Sequence, residues 1–193
     1  MADDREVAKR RLRSALLERR RQVPPAVAEA AGAAVARAIL EEPKIRRAAR
    51  VALYAAIDCE LPTRAIFESL RSLSIVRLLP RFEGEEIAWS RADDWEALAP
   101  GRFGIPESSA SRSETLTASD VVLLPGVAFD RRGWRLGRGG GHYDRAFPPG
   151  SEAPWLIGIG YTFQWVAEVP HDSQDRRVDA IVTESGWVWR ARS

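Results

Sequence analysis

Leu123 to Phe147 reads LLPGVAFDRRGWRLGRGGGHYDRAF, and the rest of the chain is read outward from it. An apolar strand over Val121–Leu124 runs into Pro125-Gly126. A turn-rich loop follows, then the run Gly137-Arg138-Gly139-Gly140-Gly141, then His142-Tyr143-Asp144-Arg145 opening a short helix. Glycines let backbone N–H groups approach an anion without Cβ interference. A helix start just after them favours negative charge. Arg135 and Arg138 add full positive charge, and Asp144 adds a carboxylate suited to Mg²⁺. The physical reading is a polyphosphate site with a metal beside it. A flexible glycine loop without a ligand is the alternative; against it, three consecutive glycines cost conformational entropy.

Common phosphate motifs do not fit. A P-loop needs Lys-Ser or Lys-Thr after its last glycine, and the chain has neither there. A dinucleotide fingerprint started at Gly137 needs glycine where His142 stands, and the loop lies too far past its strand for that tight turn. Composition bounds the rest. The chain has 193 residues, 45% apolar and 29% charged, which suits one soluble globular domain over 1–193. A net charge of +2 gives no bulk argument for nucleic acid. The one cysteine, Cys59, excludes an internal disulfide. No apolar run approaches a membrane span, and MADDREVAKRR lacks a signal-peptide core, so a cytoplasmic location is expected.

The N-terminal helix is expected over Asp3–Arg21. On a helical wheel with Lys9 at zero, Arg13 falls at roughly 40° and Leu16 at roughly −20°. Two cations therefore share the leucine face, either to meet an anion or to snorkel past the core. Arg11 and Glu18 lie opposite. An Arg-rich RNA-binding helix is the rival reading, but it lacks aromatics and a continuous basic stripe. Pro24-Pro25 ends this helix, and an alanine-rich helix follows from Ala26 to Leu40. Strands are expected at Arg50–Ala56, Ile75–Leu79, Trp155–Gly160 and Asp179–Glu184, with edge strands at Glu86–Arg91 and Trp187–Arg190. A helix is expected from Pro62-Thr63 to Ser72, Gly101–Glu107 reads either as a loop closing over a site or as a packed loop, and Ser108–Ala118 is expected as a surface linker. The alternation predicts an α/β fold: three layers, a mostly parallel sheet, helices on both faces.

Pro125-Gly126, Phe129-Asp130 and Arg135-Leu136-Gly137-Arg138-Gly139-Gly140-Gly141-His142-Tyr143-Asp144 resemble the signature of the 5-formyltetrahydrofolate cyclo-ligase family, with His142 in place of the family's usual first Tyr. Lys9-Arg10-Arg11-Leu12-Arg13 is similar to its Lys-x-x-x-Arg motif, and Glu60 with Thr63 to its strand-end Glu-x-x-Thr. The resemblance implies a small-molecule ligase acting as a monomer, without nucleic acid or membrane partners. It would convert 5-formyltetrahydrofolate and ATP to 5,10-methenyltetrahydrofolate, ADP and phosphate with Mg²⁺. It implies ATP contacts from Lys9, Arg10, Arg11, Leu12 and Arg13 and from Arg135, Leu136, Gly137, Arg138, Gly139, Gly140, Gly141, His142 and Tyr143. Arg138 and Lys9 would act in catalysis. Folate would meet Arg13, Ala55, Glu60, Arg138, Gly139, Gly140, Gly141 and His142. Asp144 and Asp179 would hold the metal, the latter matched through Ile181, Thr183 and Glu184. His171-Asp172 then lies three residues too far upstream, with Asp175 at the spacing the family shows. A divergent ATP-dependent enzyme with another substrate is the alternative, permitted by His142 and the altered His171 loop.

Overall fold

The computed structural model describes residues 2–110 and 112–190. Helix α1 spans Ala2–Arg21, α2 Pro25–Glu41 and the single turn α3 Pro43–Arg46. Strand β1 (Arg50–Ala52) precedes α4 (Arg64–Ser72), the long hairpin β2 (Val76–Glu83) and β3 (Glu86–Arg91), and the short pieces β4 (Ala99–Pro100), β5 (Pro106–Glu107) and β6 (Ser113–Glu114). Then come β7 (Val121–Pro125), β8 (Ala128–Asp130), β9 (Arg135–Leu136), α5 (His142–Ala146), β10 (Trp155–Ile159), β11 (Trp165–Val166), β12 (Ala180–Thr183) and β13 (Gly186–Arg190).

Eight strands form one mixed sheet in the order β13-β12-β10-β7-β1-β2-β3-β6. The middle five, β12 to β2, pair in parallel, and the antiparallel members are confined to the two flanks. The continuous apolar runs of β7, β10 and β12 explain their place: strands covered on both faces cannot alternate with polar residues. One face buries Val51, Leu123, Ile157 and Val182 under α2, α3 and α4. The other buries Ala52, Val122, Leu124 and Ile181 beneath Phe129, Phe147 and α5. Helices thus lie on both faces, α2 to α4 on one side and a five-residue helix on the other, while α1 packs on the small sheet that holds β8 and β9. The small residues of α2 let it come close, so that a Cβ on Gly32 would sit 2.7 Å from the Pro62 carbonyl oxygen.

Several boundaries differ from the sequence expectation. β2 runs through Pro80 to Glu83, because beyond Leu78 only β3 pairs with it and a missing N–H on the open side is tolerated. β3 is not an edge: Ser113–Glu114, expected as linker, adds β6 against it. β1 stops at Ala52, and the chain peels away to line a cavity. The three-stranded sheet β11-β8-β9 was not legible, its strands being two or three residues long.

That small sheet carries the glycine loop. Phe129 seats its ring on Gly126, Gly158 and Gly160, where a Cβ would meet it at 2.3, 2.4 and 3.1 Å. Asp130, fully buried, accepts three backbone N–H groups: Arg132 at 2.8 Å and Trp134 at 3.1 Å on one oxygen, Val169 at 2.9 Å on the other. Asp130→Asn offers one acceptor oxygen in place of two and leaves at least one N–H unmatched. Its expected cost is about 1–3 kcal/mol, read as a lower urea midpoint with unchanged slope.

Candidate active site at the sheet switch point

Strand order reverses between β1 and β7: from β1 the chain proceeds outward through β2, from β7 through β10 and β12. Parallel sheets open a crevice at the carboxyl ends of such a pair. Here Tyr54 and Ala55 follow β1, and Pro125 and Gly126 end β7; all four line a cavity of about 690 Å³ counted out to its mouth. Phe82 and Ile105 form its apolar wall, and Glu60 faces Arg135, Arg138 and the glycine loop across it.

Glu60 is held by a tight turn. Asp58 and Cys59 both adopt left-handed backbone conformations (φ 48° and 61°). The Ile57 N–H donates to Glu60 Oε2 at 3.1 Å, and the Glu60 N–H donates back to the Ile57 carbonyl at 2.9 Å. Thr63, named with Glu60 from the sequence, is buried and donates its hydroxyl to the Tyr54 carbonyl, so it fastens the turn to the end of β1. Glu60 is only 8% exposed. Burial pushes its carboxyl above the usual range, against the Ile57 hydrogen bond and the charges of Arg20 and Arg138.

The glycine loop is shaped by its neighbours. Gly139 and Gly141 have positive φ (109° and 65°), which side-chain-bearing residues resist. Arg13 Nε donates to the Gly137 carbonyl at 3.0 Å, bringing α1 against the loop. Arg138 pairs with Asp58 across the cavity mouth and stands 3.9 Å from Glu60, and that pairing holds the Asp58 carboxyl below its usual range. Arg135 is buried and committed: one nitrogen donates to both Asp144 oxygens at 3.0 and 3.1 Å, another to the Pro125 carbonyl. Leu136 belongs to the core beneath α1 together with Leu12, while Arg10 and Arg11 are exposed. His142 lines the cavity edge-on to Phe82, with Nδ1 3.0 Å from the Glu85 carbonyl oxygen. Tyr143 is half-buried and lines the cavity, and desolvation drives its hydroxyl well above the ordinary phenol range.

A second, open cleft of about 1540 Å³ adjoins the first, and Gly141 and Asp144 line both. Asp172 and Asp175 complete its acidic wall. Lys9 reaches both, at 2.8 and 2.6 Å. Burial disfavours its charge, but the two carboxylates outweigh burial and raise its pKa; Lys9 in turn lowers Asp172. Of the expected metal pair, Asp144 lines both cavities and Asp179 lines neither. Asp179 precedes β12 at the amino end of the sheet, where its carboxylate accepts the Leu156 N–H at 2.8 Å. Asp144 accepts the Arg135 guanidinium and, at 3.2 Å, the Arg176 N–H. Asp175, the acid at the spacing noted from the sequence, and Asp172 share the open cleft with Asp144. His171 lies in the loop before β12 and stacks on Trp134 at 3.8 Å between centroids, with Arg177 over the same indole. Arg20 escaped the sequence reading, although the same wheel that grouped Lys9 and Arg13 puts it on their face at roughly 20°.

The profile of the 5-formyltetrahydrofolate cyclo-ligase family matches residues 5–184. The 5-formyltetrahydrofolate cyclo-ligase of Mycolicibacterium smegmatis is 31% identical over 91% of this chain and 93% of its own length. That of Escherichia coli is 30% identical over 89% and 98%. The solution structure of Aquifex aeolicus 5,10-methenyltetrahydrofolate synthetase superposes with a TM-score of 0.82 at 30% identity, covering 96% of this chain and 93% of that one. With the fold and the length of chain in agreement, the chain belongs to the 5-formyltetrahydrofolate cyclo-ligase family and is an enzyme of that family.

Proposed function

We propose that the protein closes 5-formyltetrahydrofolate to 5,10-methenyltetrahydrofolate at the expense of ATP, with Mg²⁺, as a monomer. The observation that carries this reading is the meeting of two unlike cavities at the glycine loop. One is apolar-walled and ends on a buried carboxylate; the other is open and acidic, and two of its acids, Asp172 and Asp175, pair with Lys9.

The chemistry needs an activated formyl oxygen, because an amide oxygen is a poor leaving group. Transfer of the terminal phosphoryl of ATP to that oxygen supplies it. The neighbouring amine nitrogen of the folate then attacks the formyl carbon, and phosphate departs. Catalysis of such a step is positioning and charge neutralisation. The Glu60 carboxylate accepts paired N–H groups from the aminopyrimidinone edge of the pterin. Ala55 and Phe82 flank that ring. The amides of Gly139, Gly140 and Gly141 receive the phosphates with Lys9 and Arg13. Arg138 leaves Asp58 for the transferring phosphoryl group. No protein nucleophile is required.

Among the described residues no three carboxylate, histidine or cysteine side chains converge on one point. That donor set fits Mg²⁺, which keeps its waters and takes one or two carboxylates together with phosphate oxygens. Asp144 and Asp175 are the residues that would hold it, with Asp172 beside them; Asp179 is a strand-start acceptor. The metal would neutralise charge on the phosphates.

Purified protein mixed with 5-formyltetrahydrofolate and MgATP is expected to build the methenyl product's absorbance, and EDTA to abolish it. No product in the presence of bound ATP would overturn the assignment. Arg138→Ala should lose at least about 100-fold in rate while staying folded; full activity in that variant removes Arg138 from the reaction. Asp175→Asn should raise the Mg²⁺ needed for half-maximal rate by about tenfold or more, whereas Asp179→Asn should leave the Mg²⁺ requirement unchanged. The opposite pattern would return the metal to Asp179.

A further inference from the structure

Arg20 is 1% exposed, near the end of α1, and takes no part in lining either cavity. Its Nη1 stands 4.0 Å from Glu60 Oε1, outside hydrogen-bond reach. Its Nε and Nη2 are buried without any hydrogen-bond partner, as is the hydroxyl of Tyr161. A guanidinium retained for packing ends in a bidentate carboxylate or a set of carbonyls. One retained with two idle nitrogens costs stability that an apolar side chain would not, and Leu16, one turn earlier on the same face, shows the apolar solution. What Arg20 does supply is a permanent charge behind Glu60, on the side away from the pocket.

We propose that Arg20 is a positioning residue for the folate: from the buried face of α1 it keeps the Glu60 carboxylate anionic, so that both oxygens can accept N–H groups. The proposal rests on the pterin role of Glu60 given above. The groups around Glu60 leave few substitutes. Arg138 from the glycine loop is the other cation within 4 Å, but it is paired with Asp58 and is assigned to the phosphoryl group, and Arg135 across the cavity is committed to Asp144. Asp58 and Cys59 of the same turn, Tyr54 after β1 and Tyr143 of α5 supply no positive charge. Burial raises the Glu60 carboxyl and Arg20 opposes it. Removing Arg20 therefore raises it further, and an acceptor that must be ionised is then lost at a higher pH as pH falls.

The test is the dissociation constant of 5-formyltetrahydrofolate between about pH 5 and pH 9, for the native protein, R20K, R20M, E60Q and R20M/E60Q. For R20M the acidic limb of the affinity profile should move to higher pH, with binding about tenfold weaker per unit of displacement at the low end and native affinity regained at the high end. R20K, which keeps the charge, should restore the native limb. E60Q should flatten the profile, and R20M/E60Q should match E60Q. Arg20→Gln replaces R20M should the methionine variant fail to fold. An R20M loss equal at every pH would make Arg20 structural and overturn the proposal, as would a native R20M profile alongside a flattened E60Q profile. Native affinity and pH dependence in E60Q would overturn the pterin role itself, and this proposal with it.

Discussion

One buried carboxylate sets the geometry on which the site depends. Asp130 gathers three backbone N–H groups from two stretches of chain that the sequence keeps far apart. Through Arg132 and Trp134 it closes the turn that feeds the glycine loop; through Val169 it fixes the start of the segment carrying Asp172 and Asp175. A carboxylate with several backbone donors and no exposure is strongly directional. The relative placement of glycine loop and acidic wall therefore follows from one side chain. Phe129 beside it adds the steric half of the same constraint, since its ring occupies a slot that only glycine leaves open on β7 and β10.

The sheet supplies the other coordinate. Because β1 and β7 are neighbours whose connections depart in opposite directions, their carboxyl ends diverge, and the chain leaving each can line the gap without crossing it. The turn after β1 brings Glu60 and the loop after β9 brings the glycines. α5 is too short to contribute much of a dipole, so the pull on an anion falls to loop amides and to the cations of α1 and the loop itself.

The sequence made the parallel core readable because β7, β10 and β12 are uninterrupted apolar runs, and it made the cavity-lining glycine loop readable because glycine and arginine at that density have few other uses. Glu60 and Thr63 were legible as a strand-end pair, though not that Thr63 acts on the backbone. Less legible were features fixed by register. Asp179 and Asp175 are both acids at plausible spacing before β12, and the pairing of β10 with β12 puts Asp179 at the amino end of the sheet, on the Leu156 N–H. Arg135 read as a free charge until Asp144 was found beneath it. The strands β6, β8, β9 and β11 carry too few residues for any period to be seen.

Helix α1 touches the acidic cleft with Lys9, the glycine loop with Arg13 and the wall behind Glu60 with Arg20. From Lys9 to Arg20 a helix rises about 16 Å, and within it these side chains cannot move independently. α1 therefore acts as a ruler laid along both cavities. A displacement of α1 along its axis would draw Lys9 from its acids and carry Arg13 and Arg20 with it, so the spacing between the acidic cleft, the glycine loop and Glu60 is set by one helix.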